Sequence, residues 1–406
     1  MNLVEKLSDR QVWQSFYNYK AEGGHTAKAD LQELEQFIAR EGYLAPVRAI
    51  REGGSFAPPV KKYISKKSSS KKRIVYTFSK EENYVLKLLT WLLADQYDCI
   101  FAHNLYSFRR HQSAKHAIRA LTQIPHIDRM WAYKVDVSNY FNSIPVHRLL
   151  PVLEETLAEE PEIEGFLKGL LQNRQVWERG QLLEEDKGIM AGTPISTFLA
   201  NLYLSQMDHR FAARQKIYAR YSDDIIVFAP TREELDGEIE EIRACLQEAG
   251  LSVNPDKEEV TAPGERWTFL GISYHRGVVD VSPVSLEKLK AKMRRKTRAL
   301  KRWQAEKGLQ GIHAAKAFVR VMNRKLLDND SEHELTWVRW YFPLINTTRS
   351  LAVIDGYSQD CIRYLATGKR TKGRFDFRYE QMKEIGYVSL VNCYYKHLQS
   401  LEQEKE

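Results

Sequence analysis

Cysteine is scarce in this 406-residue chain: Cys99, Cys245, Cys361 and Cys393 stand far apart, with no Cys-x-x-Cys and no Cys/His pairing. That excludes a disulfide framework and a zinc module. No apolar run approaches the roughly 18 residues that a membrane span needs, and no N-terminal signal pattern is present, so a cytoplasmic protein without a membrane partner is expected. Absence of an internal repeat excludes a solenoid. General disorder is excluded too, because 43% of residues are hydrophobic and 11% aromatic. The length suits two or three domains, or one multi-lobed architecture.

Positive charge is what the chain has in excess. The formal net charge is +8 and the pI about 9.0, and the basic residues are clustered. Lys61, Lys62, Lys66, Lys67, Lys71, Lys72 and Arg73 fall within one serine-containing stretch. A second run over 285–308 carries Lys288, Lys290, Lys292, Arg294, Arg295, Lys296, Arg298, Lys301 and Arg302 beside an apolar seam of Leu286, Leu289, Met293, Leu300 and Trp303. A helix divided in that way packs one face and offers the other to phosphates, so the predicted partner is nucleic acid.

Tyr221-Ser222-Asp223-Asp224 sits between a polar-apolar alternation and the run Ile225-Ile226-Val227-Phe228. The pattern predicts a β-hairpin with two carboxylates at its bend. Such a pair repels itself unless it is solvated or neutralised by a cation. Alone it reads as a solvated tip, and a metal site requires further partners. One is Asp136, at the end of a short apolar strand entering a turn, where a scaffold can present a carboxylate to a cleft. Arginines interleaved with aromatics over 101–110 suit phosphate contacts. Gly192, before a helix running to about Arg214, permits close backbone approach to a ligand. Helices are expected over 1–50, 80–98, 146–185 and 231–249, a strand at 74–78, and a second hairpin over 266–282.

In this order the segments resemble a reverse transcriptase, specifically the bacterial group II intron-like lineage. Lys72 and Arg73 resemble the segment that holds the incoming triphosphate, and 104–109 the family's Tyr-Gly-Phe-Arg segment. Asp136-Val137-Ser138-Asn139-Tyr140-Phe141 resembles the first palm motif, in which Phe141 is the steric gate against a ribose 2′-hydroxyl. Tyr221-Ser222-Asp223-Asp224 resembles the Tyr-x-Asp-Asp motif, Gly250 to Lys257 the lysine-bearing motif, and Phe269-Leu270-Gly271 the primer grip. One departure is Met190-Ala191-Gly192 where the family commonly has Pro-Gln-Gly. Ala191 replaces the glutamine that touches the template-nucleotide pair, which keeps template-free synthesis open.

The resemblance implies an α+β right-hand polymerase fold. Its parts would be N-terminal helices and fingers (1–130), a palm (131–283, with part of the fingers between 146 and 187) and an α-helical thumb-like region (284–406). It implies RNA-directed DNA polymerase activity with Asp136, Asp223, Asp224 and Lys257 as catalytic residues and Asp136, Val137, Asp223 and Asp224 around two Mg²⁺ ions. Asp223 is expected to be the ligand and Asp224 a supporting carboxylate, because neighbouring hairpin positions point apart. Lys72, Arg73, Arg109, Phe141, Gly192, Asn201 and Tyr221 form the implied substrate-binding set. The partners implied are a noncoding RNA template, dNTPs and an RNA–DNA duplex product. The lineage points to antiphage defence, with an intron mobility and splicing enzyme as one alternative and an RNA-binding protein with a relict active site as another.

Overall fold

The structure, a computed structural model, describes residues 1–23, 26–65, 72–327 and 336–403. Lys66, Lys67 and Lys71 of the basic stretch lie outside the described residues. The chain forms two compact units that divide between Gly264 and Glu265, whereas the sequence places the palm boundary at 283/284. No helix among the described residues is long and apolar enough to cross a membrane.

The first unit has eight described strands: β1 (Val60–Ser65), β2 (Lys72–Thr77), β3 (Trp131–Asp136), β4 (Gln175–Glu178), β5 (Gln181–Glu184), β6 (Ile217–Tyr221), β7 (Asp224–Ala229) and β8 (Glu259–Thr261). They build two four-stranded sheets, ordered β2-β1-β4-β5 and β6-β7-β3-β8. In the second sheet every pairing is antiparallel, and β7 and β3 are central. Their apolar runs follow from that place. From Ile225 to Ala229 every residue of β7 is buried, as expected of a strand covered on both faces.

Helix Arg232–Glu248 packs on β7 and β3 of this sheet, and helix Lys80–Gln96 belongs to the same core. Lys80–Gln96 is started by a Ser79/Glu82 capping box and buries Val85, Leu86, Leu88, Leu89 and Leu93. Arg232–Glu248 is capped by Thr231 and buries Leu235, Ile239, Ile242 and Leu246. The hydrophobic core runs unbroken from Leu3 of the first helix to Leu251.

Residues 146–185 differ from the helical expectation. The last helix there ends at Gln172, and β4 and β5 then form a hairpin whose turn residues Arg179 and Gly180 both take positive φ. Tertiary pairing explains it: Val60 of β1 pairs with Trp177 of β4, which extends the first sheet. The local signal was Arg179-Gly180 between two short apolar segments.

In the second unit the expected hairpin is a three-stranded meander, β9 (Trp267–Phe269), β10 (Ile272–His275) and β11 (Val278–Val281). Leu270 and Gly271 form the β9–β10 turn, both at positive φ. Helices Pro283–Glu306, Gly311–Leu326, Arg349–Thr367 and Leu390–Gln403 follow. Buried Asp355 caps the last of them, accepting from the Leu390 and Val391 amides, the Tyr387 hydroxyl and the Ser389 hydroxyl. Four donors satisfy a carboxylate that would otherwise be costly to bury.

Candidate active site

The β6–β7 hairpin closes with a two-residue turn, Ser222-Asp223, between the paired residues Tyr221 and Asp224. Ser222 has φ +60, a left-handed conformation that a tight hairpin turn demands and that costs a non-glycine residue energy. Asp224 opens β7 directly opposite Asp136, the last residue of β3. Opposed residues on antiparallel strands share a face, so Asp224 and Asp136 stand together. Asp223 occupies the turn itself, and its carbonyl accepts from the Val137 amide at 3.0 Å. The premise that neighbouring positions point apart therefore does not apply here, because Asp223 lies outside the pleat.

These carboxylates perturb one another. Burial, and then the negative charge of Asp136, raises Asp223 above the usual carboxylate range. Asp224 is pushed up to about 6, by burial first and then by Asp223 and Asp136. Lys257, on the short turn Pro255–Lys257, places Nζ 2.5 Å from Asp136 Oδ2 while more than half of its side chain remains exposed. Lys257 and, more weakly, Lys134, which is itself paired with Glu259, face three carboxylates, so the cluster stays short of positive charge. An oxygen-only, desolvated, anionic donor set fits a hard divalent cation. Among the described residues no three His, Cys, Asp or Glu side chains form a ready metal cage. Cations held by these carboxylates would need phosphate and water to complete their coordination. Val137 has a buried side chain without oxygen, so only its backbone carbonyl is available as a donor.

An aromatic wall adjoins the carboxylates. Phe141, on the turn of helix Tyr140–Ser143, lies 6.3 Å from the exposed ring of Phe108, which lies 6.2 Å from Tyr221. Phe108, with φ +53, belongs to the 104–109 segment that resembles Tyr-Gly-Phe-Arg, where the sequence reading assigns a contact to Arg109 and none to Phe108. Behind Phe141, Gly188 takes φ +54, and a Cβ there would lie 2.5 Å from the Phe141 carbonyl oxygen. Gly188→Ala is expected to cost about 2–4 kcal/mol through positive-φ strain and overpacking, read as a lowered thermal midpoint.

Several other sequence-predicted residues are engaged within the protein. Arg109 forms a two-pronged ion pair with Asp98 and also donates to the carbonyls of Ala102 and Leu105, so it holds its own loop together. Asn201 is buried, exchanging hydrogen bonds with Ser107: its Nδ2 donates to the Ser107 carbonyl, and its Oδ1 accepts from the Ser107 hydroxyl. Gly192 makes its close approach to the protein rather than to an open face, since a Cβ there would lie 2.9 Å from Val75 Cβ. Ala191 is pinned by its backbone, donating to Asn142 Oδ1 and accepting from the Tyr76 amide. Lys72 and Arg73 are exposed at the start of β2. Phe269, Leu270 and Gly271 belong to the second unit, where a Cβ on Gly271 would lie 3.1 Å from the Tyr341 hydroxyl.

A buried network supports the hairpin from behind. Arg220 and Asp208 are both fully buried and form a two-pronged ion pair. The guanidinium also donates to the carbonyls of Ser222 (3.3 Å) and Asn201 (3.2 Å). The Ser222 amide donates to the Ser107 hydroxyl at 2.9 Å, and Tyr218 donates to Asp208. Arg220, Asp208 and Ser107 thus tie the aspartate turn to the 104–109 loop and to helix Ser196–Tyr203. The sequence held one clue, a charged residue on the same strand face as Tyr218.

An antiparallel sheet that gathers carboxylates from a central strand and an adjoining hairpin turn, beside a lysine and an aromatic wall, is the palm of a right-hand polymerase. Residues 64–274 match the sequence profile of the family described as reverse transcriptase (RNA-dependent DNA polymerase). The match covers more than half of the chain, and the chain belongs to that family. Among curated proteins it is similar to the Retron Ec86 reverse transcriptase of Escherichia coli, 23% identical over 237 residues, covering 57% of this chain and 67% of that protein. It is also similar to Protein YkfC of Escherichia coli strain K12, 22% identical over 294 residues, covering 62% and 76%. Among solved structures, apo telomerase from Candida tropicalis superposes over 81% of this chain and 59% of its own, with a TM-score of 0.48 and 12% identity, too loosely to bear on the fold.

Proposed function

We propose that the chain copies a structured noncoding RNA into DNA by two-metal nucleotidyl transfer, with Mg²⁺ as the metal and a role in bacterial antiphage defence. The observation that carries the chemistry is the convergence of Asp136, Asp223 and Asp224 at one end of the central sheet, with Lys257 seated on Asp136. Divalent cations held there would activate the primer hydroxyl and stabilise the leaving pyrophosphate. Asp136 and Asp223 would supply the principal oxygen donors, and Asp224 would maintain the negative field. Phe141 would wall the sugar pocket, so Phe141→Ala is expected to admit ribonucleotides, read as the ratio of rNTP to dNTP incorporation. Lys72 and Arg73 would meet the triphosphate.

Lys257 stands at the half-exposed edge of the carboxylate cluster, paired with Asp136, where it would meet a departing pyrophosphate. As a general acid it would contribute on the order of 10²-fold or more, so Lys257→Ala is expected to slow single-turnover incorporation by that factor. An unchanged rate removes it from the chemistry. The polymerase reading is tested with purified protein, an annealed RNA template and primer, and dNTPs in Mg²⁺: extension that EDTA abolishes supports it, and absence of extension with any template overturns it. The likeness to retron reverse transcriptases supports a dedicated RNA template, which sequencing of copurifying nucleic acid would identify. The defence role is measured by phage plating on cells carrying the wild-type or Asp223→Asn gene. Equal plating on both refutes it.

A further inference from the structure

The second unit contains a cavity of about 290 Å³ that the polymerase chemistry does not use. Its size is at the small end of ligand pockets. One wall is helix Pro283–Glu306, which contributes Arg294 and Arg298 one turn apart. The facing wall is helix Arg349–Thr367, which contributes Tyr357, Asp360 and Tyr364, successive residues of one face. Gly368, at φ +73, ends that helix in a left-handed turn and brings Arg370 and Arg374 to the rim.

The charges of this pocket are not balanced. Asp360 is the one carboxylate in its lining, and it is already engaged by Arg374 at 3.2 Å and, more distantly, by Arg363 at 3.8 Å. Lys369, also in the lining, pairs with Asp376. Arg294, Arg298 and Arg370 have no carboxylate within ion-pair distance among the described residues. Three guanidinium groups without a counter-charge around one small cavity raise each other's electrostatic cost, which a bound anion would relieve. Arg370 also lies over the Tyr364 ring at 4.9 Å. The half-buried Tyr357 and Tyr364 give the same cavity flat apolar surface beside its cations.

We propose that this cavity binds a nucleotide phosphomonoester, its phosphate on Arg294, Arg298 and Arg370 and its base against Tyr357 or Tyr364. Forked guanidinium donors match a terminal phosphate better than an internal phosphodiester, because the terminal group offers three free oxygens and a second charge. The tyrosines provide the stacking that a base requires. Such a ligand is either the 5′-phosphorylated end of a strand or a free nucleoside monophosphate.

The test uses the full chain and short fluorescent oligoribonucleotides that differ only in a 5′-phosphate or 5′-hydroxyl, with binding followed by anisotropy. The expected result is roughly tenfold or greater tightening for the phosphorylated oligomer, the worth of about one charge-assisted hydrogen bond. That preference should vanish in Arg294→Gln/Arg298→Gln, whose exposed positions leave folding intact, and fall in Tyr364→Leu. Competition by AMP would identify free nucleotide as a ligand of the same site, and competition only by phosphorylated strands would identify strand ends. Equal affinity for both oligomers, or a preference unchanged in the double variant, overturns the proposal. The readout requires no DNA synthesis, so it stands or falls separately from the polymerase reading.

Discussion

Asp223→Asn is expected to reduce primer extension by about 10³-fold or more, since the substitution removes an anionic oxygen from a site whose metal-borne stabilisation is worth several kcal/mol, at roughly tenfold per 1.4 kcal/mol. Stability should move the other way or not at all. Asp223 is half-buried near Asp136, and its pKa is raised by partial desolvation and by that neighbour, so a neutral amide of the same shape relieves repulsion in metal-free buffer. Extension rate and thermal midpoint measured on one preparation separate the two effects. Activity lost together with a large fall in midpoint would mean that Asp223 is a structural residue. Near-wild-type extension would remove the carboxylate cluster from the chemistry altogether.

The second large effect belongs to a residue that touches no substrate. Arg220→Ala leaves the Asp208 carboxylate fully buried without its counter-ion, a loss on the order of 3–5 kcal/mol. At roughly 2–4 °C per kcal/mol for a unit of this size, the thermal midpoint should fall by about 10 °C. Activity should fall further than stability explains, because the carbonyls of Ser222 and Asn201 lose their donor and the left-handed Ser222 loses part of its support. The paired change Arg220→Met with Asp208→Leu tests this separation. Removing both charges should restore part of the stability, with Tyr218 left short of an acceptor. It should not restore extension, since neither new side chain can donate to the turn. Recovery of both would reduce the network to packing.

The Asp-Asp hairpin, the strand leading to Asp136 and the strong amphipathic helices were legible because each is written in a local pattern: alternation, an apolar run, or a 3.6-residue stripe. Lys257 was legible only through a resemblance, since a lysine in a polar loop is ordinarily solvated. The β4–β5 hairpin was missed because its pairing with Val60 is a long-range contact that overrides a modest local preference. Arg109 and Asn201 carry residue types that suit substrate contacts, yet their donors and acceptors are satisfied within the protein. Residue type states what a side chain can bind; only packing decides what it does bind.

For this protein the sequence by itself determined the class of chemistry, because carboxylates at strand ends, clustered cations and the order of the motifs are local facts. Tertiary structure decided which charges share a space. Asp136 meets Asp224 through strand register, Asp223 leaves the pleat through a two-residue turn, and Arg220 is held by Asp208 with both side chains fully buried. Electrostatic energy depends on distance and on exclusion of solvent, and neither is encoded in the spacing of residues along the chain.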